Sequence, residues 1–102
     1  MNKRTDLLDR IKLHKDDPIC RDFLLKLFRY YEIKDIDMNT NHHDIFLMLY
    51  WSDTSYSYDE IAQKFYISAF TLDRYRQKYN ELAKKLVSED ILKLVNPTIS
   101  VR

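Results

Sequence analysis

The chain of 102 residues contains no glycine, where average usage of about 7% would supply roughly seven. Glycine is the residue that reaches φ > 0 without a steric penalty and lets a backbone approach a ligand closely. Its absence therefore excludes the Gly-rich phosphate loops and dinucleotide fingerprints on which ATP, GTP and NAD sites are commonly built. It also weighs against tight primed hairpin turns, and so against an antiparallel β domain. With 45% hydrophobic and 32% charged residues, the chain has enough apolar surface for one core and enough charge for solubility. The expected fold is a single all-α domain over residues 1–102, with a radius of gyration of roughly 13 Å. Neither disorder nor a membrane span is expected.

A net charge of +1 gives no lead on partners, because only a strongly basic total would point directly to nucleic acid. Cys20 is the single cysteine and cannot form an internal disulfide, and the first residues lack the basic, apolar and small-residue order of a secretory signal. A reducing, cytoplasmic compartment is the expectation. Cys20 lies among apolar residues at helical spacing and reads as a small buried hydrophobe.

Periodicity and capping signals predict about five helices. Leu7, Leu8 and Ile11 share one face of a short helix over residues 5–14. Asp17-Pro18 supplies a cap acceptor followed by proline at the first helical position, opening a second helix to about residue 32. Loop signals gather over 35–41, and a third helix is predicted over 41–51, capped by Asn41. Ser57-Tyr58-Asp59-Glu60 is a capping box with Tyr56 and Ile61 as its hydrophobic staple. The fourth helix that it opens ends near Phe65, and Ser68 caps a fifth running to about residue 87. Along the fifth, about 28 Å long at 1.5 Å per residue, Leu72, Tyr75, Tyr79, Leu82 and Leu86 form an apolar seam. A weaker segment, 91–95, adds a final turn before Asn96-Pro97.

Residues 58–77 carry the pattern that a helix-turn-helix requires. Ala62 is the small residue where two helices cross closely, Ile61 and Phe65 flank it, Ile67 plugs the turn, and Leu72 and Tyr75 point inward from the second helix. Tyr58-Asp59-Glu60-Ile61-Ala62, then Ile67-Ser68, then Thr71-Leu72-Asp73-Arg74 resembles the helix-turn-helix in the fourth region of bacterial sigma factors. The stretch 45–51 resembles the supporting helix of those proteins, and Arg74-Tyr75-Arg76 resembles an element of phage-encoded transcriptional activators. The resemblance covers residues 41–86 of a helix-turn-helix part at 41–88, leaves 1–40 as an N-terminal helical extension without a counterpart, and puts Tyr66 where the family has its turn glycine. Tyr66 is therefore expected at φ > 0, or else the turn is reshaped.

The resemblance implies a sequence-specific DNA-binding regulator of transcription from a phage or mobile element, cytoplasmic in the host cell, with no enzymatic activity and no cofactor. Its partner is double-stranded DNA, with RNA polymerase and a second copy of the chain as further partners. The base-reading positions would be Ala69, Phe70, Asp73, Arg74 and Gln77. Arg74 suits guanine O6 and N7, Gln77 suits adenine, and Ala69 or Phe70 a thymine methyl. Phosphate contacts would come from Tyr58, Lys64, Ser68, Thr71, Arg76 and Lys78, which position without reading sequence. From Tyr58 to Ser88 there are six basic and four acidic residues, a net of +2, a weak footprint for a DNA binder. The same motif also serves protein contact, with RNA polymerase or another regulator, and occurs in phage terminase small subunits. Leu82 and Leu86 either pack on the N-terminal helices or join a dimer interface.

No other constellation competes. Asp35, Asp37, Asn39 and Asn41 alternate like the start of a calcium loop, but Thr40 stands where glycine is required and Phe46 where the bidentate glutamate belongs. His42 and His43 are adjacent and point about 100° apart on a helix, so they do not chelate one metal together. No nucleophile has an evident base partner, so no catalytic or metal site is expected.

Overall fold

Six helices and one π turn make up the regular structure of residues 6–38 and 41–95, the part of the chain that the computed structural model describes. They are α1 (Leu7–Leu13), α2 (Pro18–Met38), α3 (His42–Phe46), α4 (Tyr58–Lys64), α5 (Ala69–Leu86) and α6 (Glu89–Val95). The all-α expectation holds among the described residues. The predicted start at Thr5 and stop at Asn96-Pro97 lie outside them, as do the side chain of Asp37 and residues Asn39 and Thr40.

The helix starts follow from their caps. Ser57 and Glu60 form the predicted capping box, each satisfying the other's backbone N–H. The Ser68 hydroxyl accepts from Thr71 N at 3.0 Å, and Asp17 accepts from Ile19 N behind the N1 proline. Asp6 and Asp9 form a second box at α1.

Three boundaries depart from the prediction. Helix α2 runs on through the expected loop to Met38, because Asp35 is held on the next helix. Its carboxylate accepts from the backbone N–H groups of His42 and His43 at 2.9 and 2.7 Å, so Asp35 caps α3 while Asn41 makes no side-chain cap. The third helix changes form at Leu47–Trp51, a π turn closed by Ser52 N on Leu47 O. The carbonyls at its end are taken by lysines, Leu49 O by Lys12 Nζ and Trp51 O by Lys15 Nζ. The final turn is a separate helix, α6, set off by extended backbone at Val87 and started by the Ser88 hydroxyl on Ile91 N.

Helix α1 packs against α2, α5, α6 and the π turn, while α2 also covers α3. The core between them holds Leu8, Ile11, Leu24, Leu27, Phe46, Tyr50, Leu72 and Tyr79, with Cys20 fully buried beside them as expected. Its aromatic centre is tight: the Tyr79 ring lies 4.8 Å from Tyr31 and 5.7 Å from Phe46, edge to face, an arrangement favoured by the ring quadrupoles. The radius of gyration is 13.8 Å.

The connection from α4 to α5 shows what the chain does without glycine. Tyr66 N donates to Gln63 O at 3.3 Å and Ile67 N to Ala62 O at 3.0 Å, the paired bonds of a Schellman ending. That ending requires a left-handed residue, and Tyr66 takes it with φ of 56°, as the sequence predicts. A left-handed conformation costs a non-glycine residue about 1–2 kcal/mol. The Tyr66 ring is 95% exposed, so no buried contact offsets the strain. Tyr66→Gly is expected to stabilise the chain by about 0.5–1 kcal/mol, the strain relief outweighing the greater freedom of glycine in the unfolded chain. Tyr66→Ala is expected to leave stability nearly unchanged. Urea unfolding of the two variants checks this.

Candidate functional site

The candidate site is the outward face of α5 with the turn that precedes it. At 100° per residue, Phe70, Arg74, Gln77 and Lys78 fall on the side away from the core, and all four are exposed. Ala69 is exposed at the helix start and Lys64 at the end of α4. The Arg74 guanidinium lies 5.9 Å from the Phe70 ring centre, within cation–π range, so the two form one flat aromatic and cationic unit. Ser68 and Thr71 are joined through their hydroxyls at 3.1 Å, which orders the first turn of the helix.

Three expected contact residues are placed differently. Arg76, expected on phosphate, is turned inward and only 8% exposed. It pairs with Asp6 and with Asp73, the latter at 3.1 Å, and its Nε donates to the Tyr58 hydroxyl. Burial works against its charge, but the hydrogen bond it donates to Asp73 and the carboxylate of Asp6 outweigh it and hold the guanidinium protonated. Asp73, expected to read bases, is half-buried and accepts from Arg76, from the Tyr58 hydroxyl at 3.3 Å and from Gln77 Nε2 at 3.0 Å. The Tyr58 side chain is thus half-buried between helices, and only the α4 backbone start remains for a phosphate.

One turn further along α5, Asn80 completes this network. Its Oδ1 accepts from Leu8 N at 2.9 Å, satisfying an orphan donor at the start of α1. Its Nδ2 donates to the Tyr50 hydroxyl at 3.1 Å and to Arg76 O at 2.9 Å. Asp6 and Asn80 are not among the sequence candidates, and Asp35 appears there only in the rejected calcium-loop pattern, although two signals exist. Asp6 stands three residues before Asp9 at capping-box spacing, and Arg76 and Asn80 are polar residues four apart beside the apolar seam.

The two histidines have separate roles. His43 Nδ1 lies 2.8 Å from Asp35, and buried His42 places Nδ1 2.8 Å from the Tyr79 hydroxyl. Burial lowers the pKa of His42 below its usual value, partly opposed by Asp35. Among the described residues no group of three or more metal-ligating side chains comes together, and no helix is long and apolar enough to cross a membrane. Comparison of the chain with protein-family models, curated proteins and solved structures finds no match.

The Asp6–Asp9 box carries a pH signature. Burial first, then the neighbouring Asp6 carboxylate, push the Asp9 carboxyl from 3.8 up to about 6. Asp9 therefore binds its proton more tightly folded than unfolded. Its contribution to stability is full below about pH 4 and is lost as the pH rises through about 6. After allowance for solvent screening the loss is about 1–2 kcal/mol. Asp9→Asn is expected to be more stable than the native chain at pH 7.5 and to lose that advantage at pH 4, as read by urea unfolding at the two pH values.

Proposed function

We propose that the chain is a sequence-specific DNA-binding regulator of transcription that reads the major groove with the first turns of α5, in a phage or mobile-element setting. The observation that carries this reading is the division of α5 into two faces. The inward face is committed to the core and to the Arg76 network, while Phe70, Arg74, Gln77 and Lys78 stand exposed together just past an ordered, capped helix start. A helix N-terminus with exposed side chains in its first turns is what enters the groove in helix-turn-helix proteins. Arg74 and Gln77 bring guanine- and adenine-matching donors, and Lys64, Lys78, Ser68 and Thr71 supply the phosphate contacts. Arg76 has no part in this reading, because its charge is spent inside the protein.

With Arg76 withdrawn, the cations near the groove are few, and a single copy binds weakly. Dimerisation supplies the missing affinity. Leu86 is 44% exposed at the end of α5, while Leu82 is half-buried against the core, so Leu86 is the residue of the seam left for a second copy. The exposed Tyr66 and Phe70, 95% and 71% accessible, favour a second reading in which this end of α5 contacts a protein such as RNA polymerase.

Selection of bound duplexes from a random pool at low salt tests the proposal, with enrichment of one motif as the expected result. On the selected duplex, raising salt from 50 to 200 mM is expected to weaken binding by about tenfold, for a slope near −2 from Lys64 and Lys78. Arg74→Ala is expected to lose about 1–3 kcal/mol and relax the preference at one base pair, and Lys78→Ala to weaken all duplexes alike. Absence of enrichment, or an Arg74→Ala chain that binds every duplex as before, favours the protein-contact reading.

A further inference from the structure

A cleft of about 260 Å³ opens between the second half of α2 and the second half of α5, away from the first turns of α5. Three ammonium groups line it, Lys34 from α2 with Lys78 and Lys85 from α5, against the single carboxylate of Glu81. Among the described residues none of the three lysines is in an ion pair. Like charges are not gathered on one concave surface for stability, since each raises the cost of the others. One wall is aromatic: Tyr30 lines the cleft with Lys34 Nζ 5.8 Å from its ring centre.

The inner wall includes His42, which is only 8% exposed. Its Nδ1 is engaged by the Tyr79 hydroxyl at 2.8 Å. The phenol has no other acceptor among the described residues, and where it donates to Nδ1 the neutral imidazole carries its proton on Nε2. That nitrogen makes no hydrogen bond among the described residues. The cleft thus combines an excess of two positive charges, the largely buried imidazole of His42 in its wall and an aromatic side.

We infer that this cleft binds the terminal phosphate of a small phosphorylated molecule, a phosphate monoester. A monoester carries about −1.5 to −2 charges at neutral pH and three acceptor oxygens, which match the charge excess and the ammonium donors of the three lysines. At about 30 Å³ per water, the volume is that of roughly nine waters, enough for a phosphate and a small ring. The concave lining favours a monoester over a DNA backbone. A terminal phosphate projects and can reach His42, whereas a diester in a duplex is flanked by sugars on both sides. Lys34 and Lys85 have no part in the proposed duplex contacts, so this inference and the DNA reading fail separately.

The test is an NMR titration of the full chain at constant ionic strength with inorganic phosphate, with phenyl phosphate and, as control, with chloride. Saturable shifts of the His42 ring and of the lysine Nζ signals are expected with both phosphates, with tighter binding for phenyl phosphate through Tyr30. Lys34→Gln and Lys85→Gln are each expected to weaken binding at least fivefold, and Lys84→Gln, next in sequence but outside the cleft, to leave it unchanged. Both substitutions in the cleft are at the surface, and thermal unfolding verifies that the variants keep their fold. Shifts that never saturate, or that chloride reproduces, overturn the inference. So does an equal effect of Lys84→Gln, or a response of Lys34 and Lys85 to a DNA duplex but to neither phosphate.

Discussion

The placement of every face of α5 depends on one buried charge. Arg76 gives up most of its hydration, and an unpaired guanidinium in that position would be intolerable. It is kept by Asp6 at the start of α1, by Tyr58 at the start of α4 and by Asp73 on its own helix. Removing one partner of such a pair commonly costs about 3–5 kcal/mol, although a well-packed apolar replacement of the whole group need not. What the arrangement supplies is direction. A hydrophobic seam tolerates some rotation of a helix, but a fork of N–H donors with fixed partners does not. Asn80 repeats the constraint one turn away through Leu8 N and Tyr50.

This accounts for what could be read from the sequence and what could not. The caps at Ser57, Ser68 and Asp17 were legible because each is a local pattern with a local cause. The left-handed Tyr66 was legible for the same reason. The rotation of α5 was not. The apolar seam put Leu72, Tyr75 and Tyr79 inward, with Leu82 and Leu86 on the same stripe for the N-terminal helices or a second copy, whereas the buried set is Leu72, Arg76, Tyr79, Asn80 and Ala83. At 3.6 residues per turn the two stripes differ by roughly 60°. The partners that turn the helix, Asp6 and Leu8, lie 70 and 72 residues away in the chain. Asp35 tells the same story at shorter range: counted as a loop residue, it is a helical residue whose carboxylate starts the next helix.

The consequence for the candidate site is a change of membership more than of place. Rotation draws Arg76 inside and Asp73 to the edge, and it brings Phe70 and Arg74 to the middle of the outward face. The same rotation sets Lys78 and Lys85 along the border that faces α2, where they meet Lys34 across a cleft. One helix therefore has three differently equipped sides. The first is apolar and paired, the second is exposed with a cationic aromatic unit, and the third is basic and concave. His42 links the third to the first, since its ring contacts both Tyr75 at 4.6 Å and Tyr79 at 5.7 Å.

The bond between Asp6 and Arg76 also bears on how portable the C-terminal half is. Many recognition motifs can be lifted from one chain and grafted to another, because their helices are closed by their own contacts. Here the second helix of the pair carries a charge whose counterion, and an amide whose backbone donor, both come from the opposite end of the polypeptide. A fragment holding only residues 41–88 would keep Asp73 and Tyr58 on Arg76 but lose Asp6, and would lose the Leu8 N–H that Asn80 accepts from. The first turn of α1 is thus as much a part of α5 as its own neighbours, and the chain is a closed loop of dependencies with no module to cut out.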